Sequence, residues 1–446
     1  MLPRSDNIAA IATAPGRGGI GVVRISGHNL SNTATCILGG LPPSRKVTYT
    51  SFKDAEGEVI DQGIALFFPA PHSYTGEDVL ELQGHGGPAV LLLVLQRCLE
   101  LGARLALPGE FTQRAYLNNK LDLAQAESVA DLIDATTSQA AKSAMRSLKG
   151  DFSNTVHQLV SQLIDLRMLV EAMLDFPEEE LDVPDLTRRT AKLASIRKEL
   201  NKTLKLAKQG SLLREGANVA LIGQPNVGKS SLLNCLSGEE VALVSEVPGT
   251  TRDLIRQSIQ LNGVPLHIID TAGLRESLDT IELMGIARTR STIQKADVIL
   301  LMLDAKQGIS ENDKKILAEL PENTPRLYVF NKIDLLQETP RAENQNGIDF
   351  IYLSVKNGTG IELLRGKLLS LIGWHQEAGV FMARERHIRA LLKARQHLDN
   401  ASLEGKRAEI FAEELRLAQE SLNNITGEFS SDDLLGEIFS RFCIGK

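Results

Sequence analysis

The stretch Val219-Ala-Leu-Ile-Gly-Gln-Pro-Asn-Val-Gly-Lys-Ser-Ser-Leu-Leu-Asn-Cys-Leu leaves this chain less conformational freedom than any other part of its 446 residues. Val219 to Ile222 is an unbroken apolar run, as a strand covered on both faces requires. Gly223-Gln-Pro-Asn-Val-Gly228-Lys229-Ser230 then fits G-x-x-x-x-G-K-[ST] without a mismatch, and Ser231 onward reads as a helix. A strand, a glycine-rich turn and a helix in that order predict a phosphate-binding loop. Backbone N–H groups converge on the anion, Lys229 brings charge to the β- and γ-phosphates, and Ser230 offers a hydroxyl to Mg²⁺. Cys235, in the helix that follows, reads as core.

Three further motifs follow in the order that GTP chemistry needs. Gly249-Thr250-Thr251-Arg252-Asp253 resembles a first switch, with Thr251 a Mg²⁺ ligand when a γ-phosphate is present. His267-Ile-Ile-Asp270-Thr271-Ala272-Gly273 is a strand ending in D-x-x-G, where Asp270 holds the metal shell and the Gly273 N–H faces the γ-phosphate. Asn262-Gly263 predicts a hairpin turn between Leu254–Leu261 and Pro265–Ile269. Leu327-Tyr-Val-Phe-Asn331-Lys332-Ile-Asp334 supplies N-K-x-D at a strand end, and Ser354-Val355-Lys356 resembles the S-A-K base loop with valine in place of alanine. Asp334 accepts from the ring N–H and amino group of guanine. Adenine would leave that carboxylate unpaired, a mismatch worth roughly 10⁴–10⁵ in discrimination. These motifs together predict a block that binds and hydrolyses GTP.

Leu274 stands where Ras-like enzymes place a water-orienting glutamine, and leucine makes no hydrogen bond to water. Arg275, Glu276, Asp279 and Glu282 are the polar candidates in that stretch. No arginine is marked by its context as a finger, a group worth roughly 10³–10⁵ in rate. Asn226, inside the phosphate loop, is an oxygen donor suited to a monovalent cation.

The remainder predicts a multidomain chain, α/β plus all-α. Residues 1–118 read as α+β, with strand-like runs at Gly21-Val-Val-Arg-Ile and Gly63-Ile-Ala-Leu-Phe-Phe. Gly16-Arg-Gly-Gly-Ile-Gly21 matches G-x-G-x-x-G, but the β-branched residues behind it predict a strand where a dinucleotide fingerprint opens a helix. Residues 119–213 turn helical, with Val156, Leu159, Val160, Leu163 and Ile164 on one face, broken near Pro177 and Pro184 beside an acidic loop. The α/β nucleotide block spans 214–375, and 376–446 is helical again, with Ile388, Leu391 and Leu392 and then Phe411, Leu415, Ala418 and Leu422 at helical spacing. Helices on both sides of an α/β block predict one helical domain interrupted by an insertion. Net charge is −7, so composition announces no basic nucleic-acid surface, although a local patch can sit under an acidic total. The four cysteines, 36, 98, 235 and 443, form no C-x-x-C pair, which argues against structural zinc and a disulfide scaffold and for a reducing compartment. No apolar run is long enough to span a bilayer or form a signal-peptide core, so the expected location is the cytoplasm.

The nucleotide motifs, the interrupted helical domain and the terminal Cys443-Ile-Gly-Lys446 together resemble the MnmE (TrmE) family of tRNA modification GTPases, over essentially the whole chain. Pro15-Gly-Arg-Gly-Gly-Ile-Gly, Tyr74-Thr-Gly-Glu-Asp, Gln83-Gly-His-Gly-Gly, Pro108-Gly-Glu-Phe and Asn119-Lys-Leu-Asp-Leu-Ala-Gln-Ala-Glu127 carry the resemblance outside the nucleotide block. It implies a tetrahydrofolate-binding N-terminal domain that also forms a homodimer, a helical domain, and an inserted G domain with a Ras-like fold. The folate derivative (5-formyl- or 5,10-methylene-tetrahydrofolate) would meet Arg24, Glu81, Lys120 and Lys446. The nucleotide would meet Asn226, Val227, Gly228, Lys229, Ser230, Ser231, Ser245, Glu246, Val247, Pro248, Gly249, Thr250, Thr251, Asp270, Thr271, Ala272, Gly273, Asn331, Lys332, Asp334, Ser354, Val355 and Lys356. Mg²⁺ would sit on Ser230 and Thr251, and K⁺ on Asn226, Ser245, Val247 and Thr250, promoting G-domain dimerisation. Glu282 would position water and Cys443 would serve the modification chemistry. The implied partner is an FAD-dependent MnmG-type protein in a heterotetramer, acting on the wobble uridine, position 34, of certain tRNAs. Two other classes remain open at this level: a regulatory GTPase of ribosome assembly, and a folate-dependent transferase for which GTP is only a clock. For Cys443 the plainer alternative is a solvated helix end. A nearby lysine and helix termini would instead raise its reactivity.

Overall fold

The computed structural model describes residues 6–175, 183–237, 256–270, 296–318, 320–321, 324–375, 377, 379–404, 407–427, 432–440 and 442–445. The chain divides into two compact units. One comprises Met1–Ala130, Ser147–Ile196 and Lys393–Lys446; the other comprises Asp131–Arg146 and Arg197–Leu392.

The first unit begins with β1 (Ile8–Ile11), β2 (Gly18–Gly27), α1 (Ser31–Leu38), β3 (Thr48–Lys53), β4 (Val59–Phe68), β5 (Asp78–Gly86), α2 (Pro88–Glu100), β6 (Arg104–Leu105) and α3 (Glu110–Leu117). Its sheet runs in the order β3-β4-β5-β2-β1-β6. Alternation along β2 puts Val23 and Ile25 into the core with Leu80, Leu82, Val94, Leu95 and Cys98, and leaves Arg24 on the other face. The run Gly16–Gly21 therefore leads into a strand, and a dinucleotide fingerprint is excluded. On α2, Pro88 pre-sets the first turn. Leu91, Val94, Leu95 and Cys98 are buried at helical spacing, while Leu92 and Leu93 stay 58% and 53% exposed.

Helices follow: α4 (Leu123–Ile133), α5 (Ser138–Leu148), α6 (Asp151–Asp175) and α7 (Val183–Glu215). On α6, Val156, Leu159, Val160 and Leu163 are buried as their spacing predicts, but Ile164 is 39% exposed. The buried stripe continues instead through Leu166 and Val170. At 100° per residue Ile164 falls off the edge of that stripe. Pro184 lies in the first turn of α7, where a missing N–H costs nothing; the acidic stretch before it is outside the described residues.

The second unit is built on β7 (Ala217–Gly223), α8 (Lys229–Ser237), β8 (Arg256–Leu261), β9 (Val264–Asp270), β10 (Val298–Asp304), α9 (Glu311–Ala318), β11 (Arg326–Asn331), a 3-10 turn (Ile333–Leu336), β12 (Arg341–Gln345), β13 (Ile348–Tyr352) and α10 (Ile361–Leu371). Its sheet order is β12-β13-β11-β10-β7-β9-β8. The pairs β13–β11, β11–β10, β10–β7 and β7–β9 are parallel, and the outermost pair at each end is antiparallel. Along β7, Val219 and Leu221 enter one apolar core and Ala220 and Ile222 the other. That explains the unbroken apolar run, because a strand in the middle of a helix-covered sheet has no wet face. Asn262 and Gly263 both have positive φ, 49° and 81°, and close the β8–β9 hairpin in two residues.

The chain returns to the first unit along α11 (Glu385–Leu403), followed there by α12 (Ala408–Thr426) and α13 (Asp432–Ser440). Phe411, Leu415, Ala418 and Leu422 form the buried stripe of α12, which packs along α6. Phe439 and Phe442, at the end of the chain, join Leu123 and Ala126 in a small core. Among the described residues, no helix is long and apolar enough to cross a membrane.

Candidate active site

The carboxyl ends of β7, β9, β10 and β11 converge on the loop between β7 and α8, because parallel strands all finish at one edge. Asn226 takes a left-handed conformation there (φ 64°), and both it and Ser230 are exposed. Gly228 (φ 104°) has no alternative: a Cβ at that position would lie 2.5 Å from the Asn331 side-chain nitrogen. The Lys229 ammonium is curled into the loop, donating to the carbonyls of Gly223 (2.6 Å) and Gln224 (3.0 Å). It is thus held at the loop's centre, where phosphate oxygens compete with two neutral acceptors. Ser231 is exposed on the first turn of α8, while Val227 is buried in the core beneath.

Asn331 joins three loops. Its Nδ2 donates to Val227 O (2.8 Å), and its Oδ1 accepts from Val355 N (3.0 Å). Only the backbone of Val355 is used, so valine in place of alanine leaves this contact intact. Ser354 Oγ donates to Asp334 Oδ1 (2.6 Å), aiming the carboxylate. Lys332 (φ 71°) places its ammonium 2.7 Å from Asp304 Oδ2. Burial pushes the Asp304 carboxyl up, but hydrogen bonds from Lys332 and the Lys306 N–H, with both lysine charges, hold it below its ordinary value. Lys356 is exposed at the rim. Asp270 ends β9 opposite Leu221. Ser245, Glu246, Val247, Pro248, Gly249, Thr250, Thr251, Thr271, Ala272, Gly273 and Glu282 lie outside the described residues, as does Lys446.

Two supports escaped the sequence reading. Asp304, register partner of Asn331, anchors Lys332. Gln224 Nε2 donates to Ser310 Oγ (2.6 Å), and Ser310 exchanges hydrogen bonds with Asp313 as the cap of α9. The pattern Ser310-x-x-Asp313 before a helix signals the cap, but nothing local signals that it grips the phosphate loop.

In the first unit, Arg24 and Glu81 are register partners on β2 and β5 and form an ion pair at 2.8 Å, both partly exposed. The Arg24 guanidinium also lies 5.8 Å from the Tyr74 ring and 5.7 Å from the Phe111 ring. Tyr74 is fixed by a hydrogen bond between its hydroxyl and that of Thr112 (2.8 Å). Phe111 is fully buried and Tyr74 is 36% exposed, so a carboxylate, a guanidinium and one aromatic ring are accessible, a set compatible with a flat heterocycle with a polar edge. Lys120 donates instead to Pro71 O (3.0 Å), in the loop that carries Tyr74. Cys443 is exposed, its carbonyl accepting from Gly109 N (3.3 Å) at the start of α3. Gly445 passes so close to β1 that an added Cβ would lie 2.4 Å from Ile11 O. The tail is thereby held against the N-terminal sheet.

The family model "GTP-binding protein TrmE N-terminus" matches residues 7–120, and "MnmE helical domain" matches residues 123–443. The chain belongs to the MnmE family. A Nitrosomonas europaea relative named tRNA modification GTPase MnmE is 60% identical over 451 residues, covering 100% of both chains. Relatives of the same name from Nitrosospira multiformis and Laribacter hongkongensis are 60% identical with 100% of both chains covered, and 57% identical with 99% of both covered. Within the MnmE family frame, Arg24, Glu81, Lys120 and Cys443 fall on the unit that the TrmE N-terminal model matches or that the tail packs against, and the phosphate loop falls on the other unit.

Proposed function

We propose that the chain hydrolyses GTP and uses the resulting cycle to drive modification of tRNA. In this reading it acts with an FAD-dependent MnmG-type partner. Together they add an aminomethyl or carboxymethylaminomethyl group at C5 of the wobble uridine, drawing one carbon from a folate. The observation that carries the GTP half is Asn331, whose amide ties the phosphate loop to the base loop at 2.8 and 3.0 Å. That bridge sets the distance between base and phosphates, and the Asp334 carboxylate, aimed by Ser354, is what would select guanine. Membership of the MnmE family carries the tRNA half, and a tRNA substrate puts the work in the cytoplasm.

In the proposed cycle Asp334 holds the base, the stem of Lys332 covers it, and Lys229 leaves its two carbonyls for the β- and γ-phosphates. Ser230, at the first turn of α8, would meet Mg²⁺ with Thr251. Asn226, at the exposed apex, would meet K⁺ with Ser245, Val247 and Thr250. Bound, the two cations supply the positive charge that phosphoryl transfer needs in its transition state. Glu282 orients the attacking water in place of Leu274. The exposed Leu92 and Leu93 on α2 support a homodimer through the N-terminal unit.

Two experiments test the halves separately. Turnover rises at least about tenfold in K⁺ over Na⁺ at matched ionic strength, and Asn226→Ala removes the difference. In the same assay Glu282→Ala lowers turnover while leaving nucleotide affinity intact, as a group acting in the transition state should. Equal rates in both salts reject the cation assignment. For the tRNA half, mass spectrometry of tRNA nucleosides reads cells in which Cys443→Ser replaces the native chain. The expected result is loss of the modified uridine with folate binding and K⁺-stimulated turnover retained, because the phosphate loop belongs to the other unit. Wild-type levels of modified nucleoside would make the tail structural only.

A further inference from the structure

Residues 131–146 precede the nucleotide block by some distance in the chain, yet they belong to its compact unit. Asp131 is buried at the end of α4. It accepts from Arg214 Nε (2.8 Å), just before β7, and from Arg384 Nη2 (2.7 Å), after α10. Thr137 is buried before α5, where its Oγ1 accepts from Ala140 N (3.0 Å) as a helix cap. The same hydroxyl donates to Gly263 O (2.8 Å), the turn of the β8–β9 hairpin. Ala140 and Ala144 on α5 bury themselves in one core with Val227 of the phosphate loop, Leu266 and Ile268 of β9, and Ile259 of β8.

That hairpin is singular in its position. β8 begins shortly after Thr251, and β9 ends at Asp270, so its two strands lead toward the two stretches that the proposed function assigns to the γ-phosphate end of the nucleotide. The turn at the opposite end is the part that Thr137 grips. A rigid two-stranded ribbon held in register by paired backbone bonds transmits a shift at one end to the other. At both ends, residues 131–146 are covalently continuous with helices α4 and α5, whose outer residues belong to the first unit.

Resting on the proposed function, we propose that Thr137 is a positioning residue that reads the nucleotide state through the β8–β9 turn. Asp131 is the fixed point against which the shift is made. The state passes to α5 because the cap of that helix and the grip on the hairpin are one hydroxyl. A GTP-dependent shift of the turn must either carry the α5 N-terminus with it or break the cap.

The test compares the full chain carrying GDP with the full chain carrying a non-hydrolysable GTP analogue, by amide hydrogen exchange over residues 138–148. In the wild type, exchange in that window differs between the two states by roughly tenfold, the size of an ordinary coupling. Thr137→Val removes the hydroxyl at nearly constant shape and abolishes the difference; Thr137→Ser restores it. Turnover of GTP stays at the wild-type level in both, while modified nucleoside falls with Thr137→Val and returns with Thr137→Ser. A cap that only stabilises the helix gives another pattern: Thr137→Val then speeds exchange equally in both states, and the proposal fails. It fails too if the wild-type window exchanges identically in the two states. A wild-type chain that binds both nucleotides and shows state-dependent exchange without altering tRNA overturns the proposed function and leaves this coupling standing.

Discussion

Asp334→Asn lowers affinity for GTP by roughly 10⁴–10⁵ and transfers the preference to xanthine triphosphate. In the proposed site the carboxylate would accept two donors from guanine, and an amide would replace one acceptor with a donor that meets a guanine N–H head on. Xanthine presents an oxygen at that edge and fits the amide. The fold survives the exchange because the partner of Asp334 within the protein is the Ser354 hydroxyl, 2.6 Å away, which can still donate to the amide oxygen. Ser354 Oγ also accepts from Asn357 N (3.3 Å), so the base loop keeps its own closure. Titrations with both triphosphates, beside a thermal melt to show that the variant is folded, decide the matter. An undiminished preference for guanine removes Asp334 from the site.

Asp131→Ala produces the largest stability effect expected in the nucleotide-binding unit, about 3–5 kcal/mol. Its side chain is 5% exposed and that of Arg384 is 12% exposed, so truncation takes a carboxylate away from a guanidinium that water reaches poorly. Arg214, at 30%, recovers part of its hydration. For a unit of this size the loss lowers the melting midpoint by roughly 10 °C. Asp131→Asn keeps the shape and one acceptor and falls between the wild type and alanine. Calorimetry on the full chain resolves the two, and an alanine variant that melts with the wild type means the pair contributes nothing.

The parts of this protein legible from sequence are those in which chemistry and local geometry coincide. Eight consecutive residues from Gly223 to Ser230 must turn a strand into a helix around an anion, and few residue sets can do that. Asn262-Gly263 announces its hairpin because both positions need positive φ, as they have. The apolar run of β7 likewise foretells a strand covered on both faces. Resemblance then extended the reading to Arg24 and Glu81, which no local signal separates from surface charges.

Tertiary structure decided everything that depends on which distant residues share a space. Arg24 meets Glu81 because register places β2 beside β5, and Phe111 and Tyr74 approach from segments far along the chain. Asp304 supports Lys332 only because β10 and β11 pair in parallel with Asp304 opposite Asn331. Thr137 and Asp131 look like ordinary helix-end residues until folding sets the hairpin turn against one and two arginines against the other. A hydrogen bond spanning 126 or 253 residues leaves no periodicity in the sequence, because its geometry is set by packed elements rather than by the backbone between the partners. Local rules therefore identified the ligand, while packing alone determined what holds the ligand's site in place.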